Sequence, residues 1–224
     1  MTELSSLILA DVIDDAVRHK LARGIRRRGI RGLRNRGIIS VVARCTHELG
    51  PLTGVEVGIK WGHLSRMMLN NCPDLKQLTM VDPWSVYPPD HADRLKWSYA
   101  RRTQKRWDGM ASGVLVKMRP YGNRARVLRM ASVVAAAQLR AFDERPFFVY
   151  LDARHQYPDV LEDCLAWWPV VAPGGFISGD DYYPADNPRR SQTGVGQAAD
   201  EFASRVGLSV LHLHRNWFVQ KPCE

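Results

Sequence analysis

The 224-residue chain has only four cysteines, Cys45, Cys72, Cys164 and Cys223, and no CxxC pair among them. That spacing excludes a paired-cysteine zinc site and a disulfide framework, and it suits a reducing compartment. No stretch approaches the roughly 18 consecutive apolar residues of a spanning helix. The opening MTELSSLILADVIDD has no basic region ahead of an apolar one, so a cytoplasmic location is expected. Acid is missing from one place in particular: residues 18–36 hold nine Lys/Arg and no Asp/Glu. The net charge is +9, so this segment accounts for the whole excess and the rest of the chain is balanced. The GxGxxG fingerprint of dinucleotide-binding turns is absent too, because Ile59, Lys60 and Trp61 follow Gly58. This counts against a nucleotide-dependent dehydrogenase.

Alternating strand and helix patterns are present instead. In GVEVGIKWGHLSRMMLNNCPDLKQLTMVDPW, residues 54–84, β-branched Val55 and Val57 lead into a glycine turn. Gly58 and Gly62 remove Cβ atoms where a ligand would approach the backbone, and a helix is expected over 63–71. A second strand over 78–81 ends at Asp82, where an acid can accept hydrogen bonds from both ribose hydroxyls. Further strands are expected near 125–129, 146–151 and 176–178. The apolar run over 146–151 is expected to be central in a parallel sheet. LSVLHLH and NWFVQK read as a closing antiparallel hairpin. The pattern predicts an α/β fold, a doubly wound and mostly parallel sheet over 51–224, preceded by a helical, basic extension over 1–50.

Within that extension, residues 3–17 place Leu4, Leu7, Ile8, Val12 and Ile13 on one side of a helix. That face could pack on a second copy of the chain. The repeated Arg-Gly-(Ile/Leu) triplets that follow oppose a stable isolated helix. Their charge could serve a nucleic acid through salt-sensitive, non-specific binding. Interleaved aromatics for base stacking are absent, however. A solvated arm, or a surface for acidic partners or membranes, is the alternative.

Three acids stand at expected strand ends: Asp152 in FVYLDARHQY, and Asp180 and Asp181 in GGFISGDDYY. Neighbouring strands lie about 4.8 Å apart, so these carboxylates should converge beside the crevice. Three hard oxygen donors suit Mg²⁺ or another divalent cation, and Asp152 could instead meet the edge of the cofactor. The alternative is that they cap helices or brace loops. His155 follows Asp152 by three residues and could take a proton from a hydroxyl, since imidazole titrates near pH 6.5. It could equally ligate a metal or bond a loop carbonyl. Glu56 can hold the turn or a ligand's charged tail. Ser132 can touch a purine edge or cap a helix. Trp84, Tyr87, Tyr182 and Tyr183 could wall a substrate pocket. Arg189 and Arg190 could meet an anionic group, or remain solvated.

The runs VEVGIKWGHLS, VDPW, FVYLDARHQYPDVLEDCLAWWPVVAPGGFISGDDY and GVGQAADEF resemble those of class I S-adenosylmethionine-dependent methyltransferases. More narrowly they are similar to the methyltransferase 24 family, near the macrocin-type and the catechol- and caffeoyl-CoA-type O-methyltransferases. The resemblance covers about residues 52–222. It implies a seven-stranded sheet with an antiparallel last strand, and S-adenosylmethionine held by Glu56, Gly58, Asp82 and Ser132. It also implies Mg²⁺ at Asp152, Asp180 and Asp181, and transfer to a hydroxyl of a small molecule or glycan. Arg154 and His155 depart from the bases of both related types.

Overall fold

The structure, a computed structural model, describes residues 9–18, 33–91, 101–190 and 193–223, with the backbone alone at 14–18 and 33–36. Most of the basic segment, Leu4, Leu7 and Ile8, and Trp97 and Tyr99 lie outside the described residues.

The elements run α1 (Leu9–Arg18), α2 (Leu33–Leu49), β1 (Thr53–Val57), α3 (His63–Asn71), β2 (Gln77–Val81), α4 (Gln104–Met118) and β3 (Ala125–Leu128). They continue as α5 (Ser132–Ala141), β4 (Phe148–Leu151), α6 (Tyr157–Trp167), β5 (Phe176–Gly179), α7 (Val195–Arg205), β6 (Leu211–Leu213) and β7 (Asn216–Gln220). One seven-stranded sheet has the order β3-β2-β1-β4-β5-β7-β6. β1 pairs in parallel with β2 and β4, β4 with β5, and β2 with β3. β7 runs antiparallel to both β5 and β6.

β4 is the middle strand, as its uninterrupted apolar sequence implied. Its alternation feeds two cores. Phe148 and Tyr150 pack with α1 to α4 on one face, while Val149 and Leu151 pack with α5, α6 and α7 on the other. Both faces are therefore covered, which forces β4 to be hydrophobic at every position.

The N-terminal helices belong to the first of these cores. Leu9, Val12 and Ile13 of α1 are buried with Ile38, Ile39, Val41 and Val42 of α2. The Leu9 amide also donates to Gln220 Oε1 at 2.8 Å. This part of the apolar face, which by sequence could have packed on a second copy, is covered by the chain's own sheet and α2. Among the described residues the extension is not a separate layer. No helix of the described residues is long and apolar enough to cross a membrane.

α4 begins at Gln104, and Trp107 is buried on its inner face. α2 runs through Gly37. Gly37 lies against the side chain of Asn216, whose Oδ1 accepts the Ile38 amide at 3.1 Å. A contact with the closing hairpin thus supports the helix where local propensity is poor.

Candidate active site

A cavity of about 550 Å³ opens over the carboxyl ends of β1, β2 and β4. It lies where the crossover direction reverses between β1 and β4, the usual crevice of an open α/β sheet. Glu56, Gly58, Asp82, Ser132, Asp152, His155 and Asp181 all line it.

Gly58 sits at φ 89°, and a Cβ there would stand 2.3 Å from the Asp152 carbonyl oxygen. Its glycine lets the ends of β1 and β4 close on each other, locked by the Asp152 amide on the Val57 carbonyl at 2.8 Å. Gly62 is different from the expectation. It caps α3 at φ 67°, a Cβ would meet Met118, and it is not part of the cavity wall. The space it clears belongs to α4, not to a ligand.

Asp82 is 8 % exposed and holds two loops at once. Its carboxylate accepts the Lys60 amide at 2.9 Å and the Trp84 amide at 2.8 Å, and both residues have left-handed backbones. The Trp84 indole N–H returns to the Lys60 carbonyl at 3.0 Å. Burial raises the Asp82 pKa, against the lowering effect of these amide bonds. Glu56 is more deeply buried and accepts the Ser65 hydroxyl at 2.5 Å. Burial pushes its pKa up to about 8; the Ser65 bond opposes this, while the charges of Asp152 and Asp82 add to it.

On the β4–β5 side, His155 Nε2 lies 3.1 Å from Asp181 Oδ2 and 3.6 Å from Asp152 Oδ1. It meets hydrogen-bond geometry with neither. Asp181 also pairs with Arg215, whose guanidinium stacks 5.3 Å from the Tyr183 ring. The Tyr182 amide bonds the Arg215 carbonyl at 3.0 Å, which draws the β6–β7 turn over the end of β5.

The three aspartates are not equivalent. Asp152 and Asp181 face His155, while Asp180, 2 % exposed, lines a small void beneath the 152–155 turn with Asp152, His155, Val160, Val195 and Trp217. Both follow the end of β5, and Asp181 takes a left-handed backbone at φ 61°, so the adjacent pair divides. Among the described residues no three Asp, Glu, His or Cys side chains form a group that could hold a metal. The donor chemistry suits Mg²⁺. The arrangement does not fit one, because Asp181 is engaged by Arg215 and His155 while Asp180 is buried beneath the 152–155 turn.

The aromatics expected to wall the pocket divide as well. Tyr87 lines it, beneath the Arg154 guanidinium at 5.4 Å. Trp84 is 1 % exposed and belongs to the core behind the loop. Tyr182 is buried, with its hydroxyl on Asp200 at 2.9 Å. Arg190 pairs with the same Asp200 at 2.5 Å and donates to the Tyr183 carbonyl, so it braces its loop and faces no ligand.

Sequence reading missed Ser65, Asp163 and Arg215. Asp163 carried a signal: it falls on the apolar stripe of α6 with Val160, Cys164 and Trp167. Arg215 carried none beyond its place in a hairpin turn.

Residues 55–182 match the family described as a methyltransferase domain, the methyltransferase 24 family. The chain belongs to that family. It is a S-adenosylmethionine-dependent methyltransferase, and the dehydrogenase alternative falls away. No curated protein is matched by the sequence. Among solved structures, the methyltransferase is similar to the S-adenosylhomocysteine-bound PaMTH1 of Podospora anserina, with TM-score 0.54 and 13 % identity over 96 % of this chain and 88 % of that one. It is similar to CalS11, a TDP-rhamnose 3'-O-methyltransferase of calicheamicin biosynthesis, with TM-score 0.52 and 13 % identity over 95 % and 92 %. MycE of the mycinamycin pathway, in complex with Mg and S-adenosylhomocysteine, gives TM-score 0.53 and 16 % identity, over 91 % of this chain but 54 % of MycE. At these identities the likeness is one of fold.

Proposed function

We propose that this methyltransferase moves the methyl group of S-adenosylmethionine to a hydroxyl of a small molecule or sugar, with His155 as the base. The observation that carries the reading is the place of His155 on the wall of the cavity, with its buried Nε2 3.1 Å from Asp181 and 3.6 Å from Asp152. A hydroxyl is a poor nucleophile until its proton has somewhere to go. As the acceptor oxygen bonds to the methyl carbon, the carbon–sulfur bond breaks and S-adenosylhomocysteine leaves. The hydroxyl proton passes to His155, and the new imidazolium faces Asp152 and Asp181. Such positioned general-base catalysis contributes about 10²–10⁴-fold. Glu56, Gly58, Asp82 and Ser132 are proposed to hold the donor, with Asp82 on the ribose and Glu56 toward the charged amino-acid end. Holding methyl and oxygen in line at near-attack distance supplies the rest of the acceleration.

The acceptor class is supported by CalS11, which acts on TDP-rhamnose, and by the mycinamycin-pathway enzyme MycE. A bound divalent cation would acidify and orient the hydroxyl. The donor set of Asp152, Asp180 and Asp181 supports that refinement and their arrangement opposes it, so the steps above use only the chain's own groups.

His155→Gln should lower kcat by about 10²-fold or more, with S-adenosylhomocysteine affinity unchanged in a calorimetric titration. A kcat within twofold of the parent removes the base assignment. Activity that survives chelation is the outcome the side-chain arrangement supports. Loss on chelation with recovery in Mg²⁺ would mean that Asp181 leaves Arg215 for the ion.

A further inference from the structure

The two edges of the sheet are finished differently. At one edge α1 packs over β6, and Leu213 joins the same core as α1. The other edge is β3, which among the described residues pairs only with β2. The other parallel strands, β1, β2, β4 and β5, are buried from their first or second residue on, whereas β3 is half-buried at every position. An open strand edge is a ready template for another chain.

The helices on either side of that edge leave apolar groups in solvent. Leu115 and Val116 of α4, Val134 of α5 and Phe142 at its end are all more than half exposed. They are four of the seven large apolar side chains exposed among the described residues, so apolar exposure gathers around β3 rather than being scattered. Two ion pairs tie these helices to the edge. Asp108 of α4 pairs with Arg129, the residue after β3, and Glu144 beyond α5 accepts Arg126 of β3 at 2.6 Å.

The flank of α4 that carries Asp108 is ordered. Asp108, Ser112, Leu115 and Arg119 follow at spacings of four, three and four residues, one line along a helix, and Arg119 at the cap keeps a helical backbone. Ser112, Leu115 and Arg119 are exposed, and the Asp108 side chain is 49 % exposed. Acid stands at one end, base at the other, and an apolar group between them. Laid antiparallel on a copy of itself, this line sets Asp108 against Arg119 and Leu115 beside Ser112, twice over. A two-fold axis requires such a self-complementary contact. Charge also selects the occupant. An acidic partner or a nucleic acid would need an excess of base on this flank, whereas two chains of net charge +9 meet best where acid faces base.

We propose that the methyltransferase is a two-fold dimer, with α4 of each copy packed antiparallel on α4 of the other beside the outer edge of β3. Light scattering of the full chain across the micromolar range should give twice the 25.4 kDa of one chain. Leu115→Lys and Arg119→Glu should each raise the dissociation constant at least about tenfold, the second because it sets a carboxylate against Asp108 of the other copy. Asp108→Lys should weaken the dimer in the same way, by opposing two cations. Mixing the Arg119→Glu and Asp108→Lys proteins should restore a dimer, because in the mixed pair every charge meets its opposite. Exposed Leu165 lies on α6, and Leu165→Lys should leave the dimer intact. A parent that stays monomeric at millimolar concentration overturns the proposal. So does a dimer that Leu115→Lys and Arg119→Glu leave unchanged, or one that Leu165→Lys weakens as much. Single variants that dissociate and do not recover on mixing overturn it as well, since their loss then owes nothing to facing charges.

Discussion

The two halves of the cavity are built on different principles. On the side of β1, β2 and β3, the acids Glu56, Asp82 and Asp163 are nearly inaccessible and are held by amides and hydroxyls, with pKa values raised by burial. On the side of β4 and β5, Asp152 and Asp181 are more open and face the basic groups His155 and Arg215. Amides and buried hydroxyls cannot move far, whereas a guanidinium on a long stem can. The first half suits one unvarying ligand, the donor. The second is made from loops and a hairpin turn whose charges can be rearranged around different acceptors.

Removing the anchor of the first half should have the largest effect. Asp82→Ala leaves two buried amides without their acceptor and releases the left-handed backbones of Lys60 and Trp84. A loss of about 2–4 kcal/mol of stability is expected, read as a lower denaturant midpoint, together with weakened S-adenosylhomocysteine binding. Stability within 0.5 kcal/mol (about the scatter of surface substitutions) would mean that the loops hold themselves and that the contrast between the halves is overstated.

Glu56 sharpens the same contrast through pH. Its folded pKa of about 8 lies above the ordinary carboxyl value of 4.5. The folded state therefore binds more protons than the unfolded state across that window. The stabilising contribution is complete below about pH 4.5 and is lost as pH rises toward 8. Without cofactor, Glu56→Gln should flatten the fall in stability between pH 5 and 8, by at most about 1.4 kcal/mol per pH unit. Asp163 adds a slope of the same sign, with its pKa up to about 7. Only the difference between parent and variant isolates Glu56, and parallel pH profiles would assign the slope elsewhere.

The smallest effect is expected on the acceptor side. Arg215 is 38 % exposed at its side chain, so its pair with Asp181 is partly solvated. Arg215→Gln should cost no more than about 1 kcal/mol of stability. It should leave S-adenosylhomocysteine binding intact and change KM for the acceptor. A loss as large as that of Asp82→Ala would show that the β6–β7 turn is as rigidly built as the donor side.

Much of this was legible in the residues. β4 announced itself because a strand covered on both faces must be apolar throughout, and Asp82 and Asp152 because each follows a strand directly, with His155 three residues beyond Asp152. The split between Asp180 and Asp181 was not legible. It depends on the left-handed backbone of Asp181 just past β5, which an aspartate adopts only where its surroundings hold it. Trp84 and Tyr182 sit in loop sequences typical of a pocket rim, yet both turn inward, because each has a buried polar partner, the Lys60 carbonyl or Asp200.

By itself, the sequence determined the order of strands and helices, the acid at the end of β2 and the family, since periodicity and strand-end chemistry are local properties. The tertiary structure alone decided which acids share a space. Antiparallel pairing of β7 with β5 brings Arg215 to Asp181, and the packing of α6 on α5 sets Asp163 beside Ser132. Both contacts join residues far apart in the chain, where no local pattern can record them.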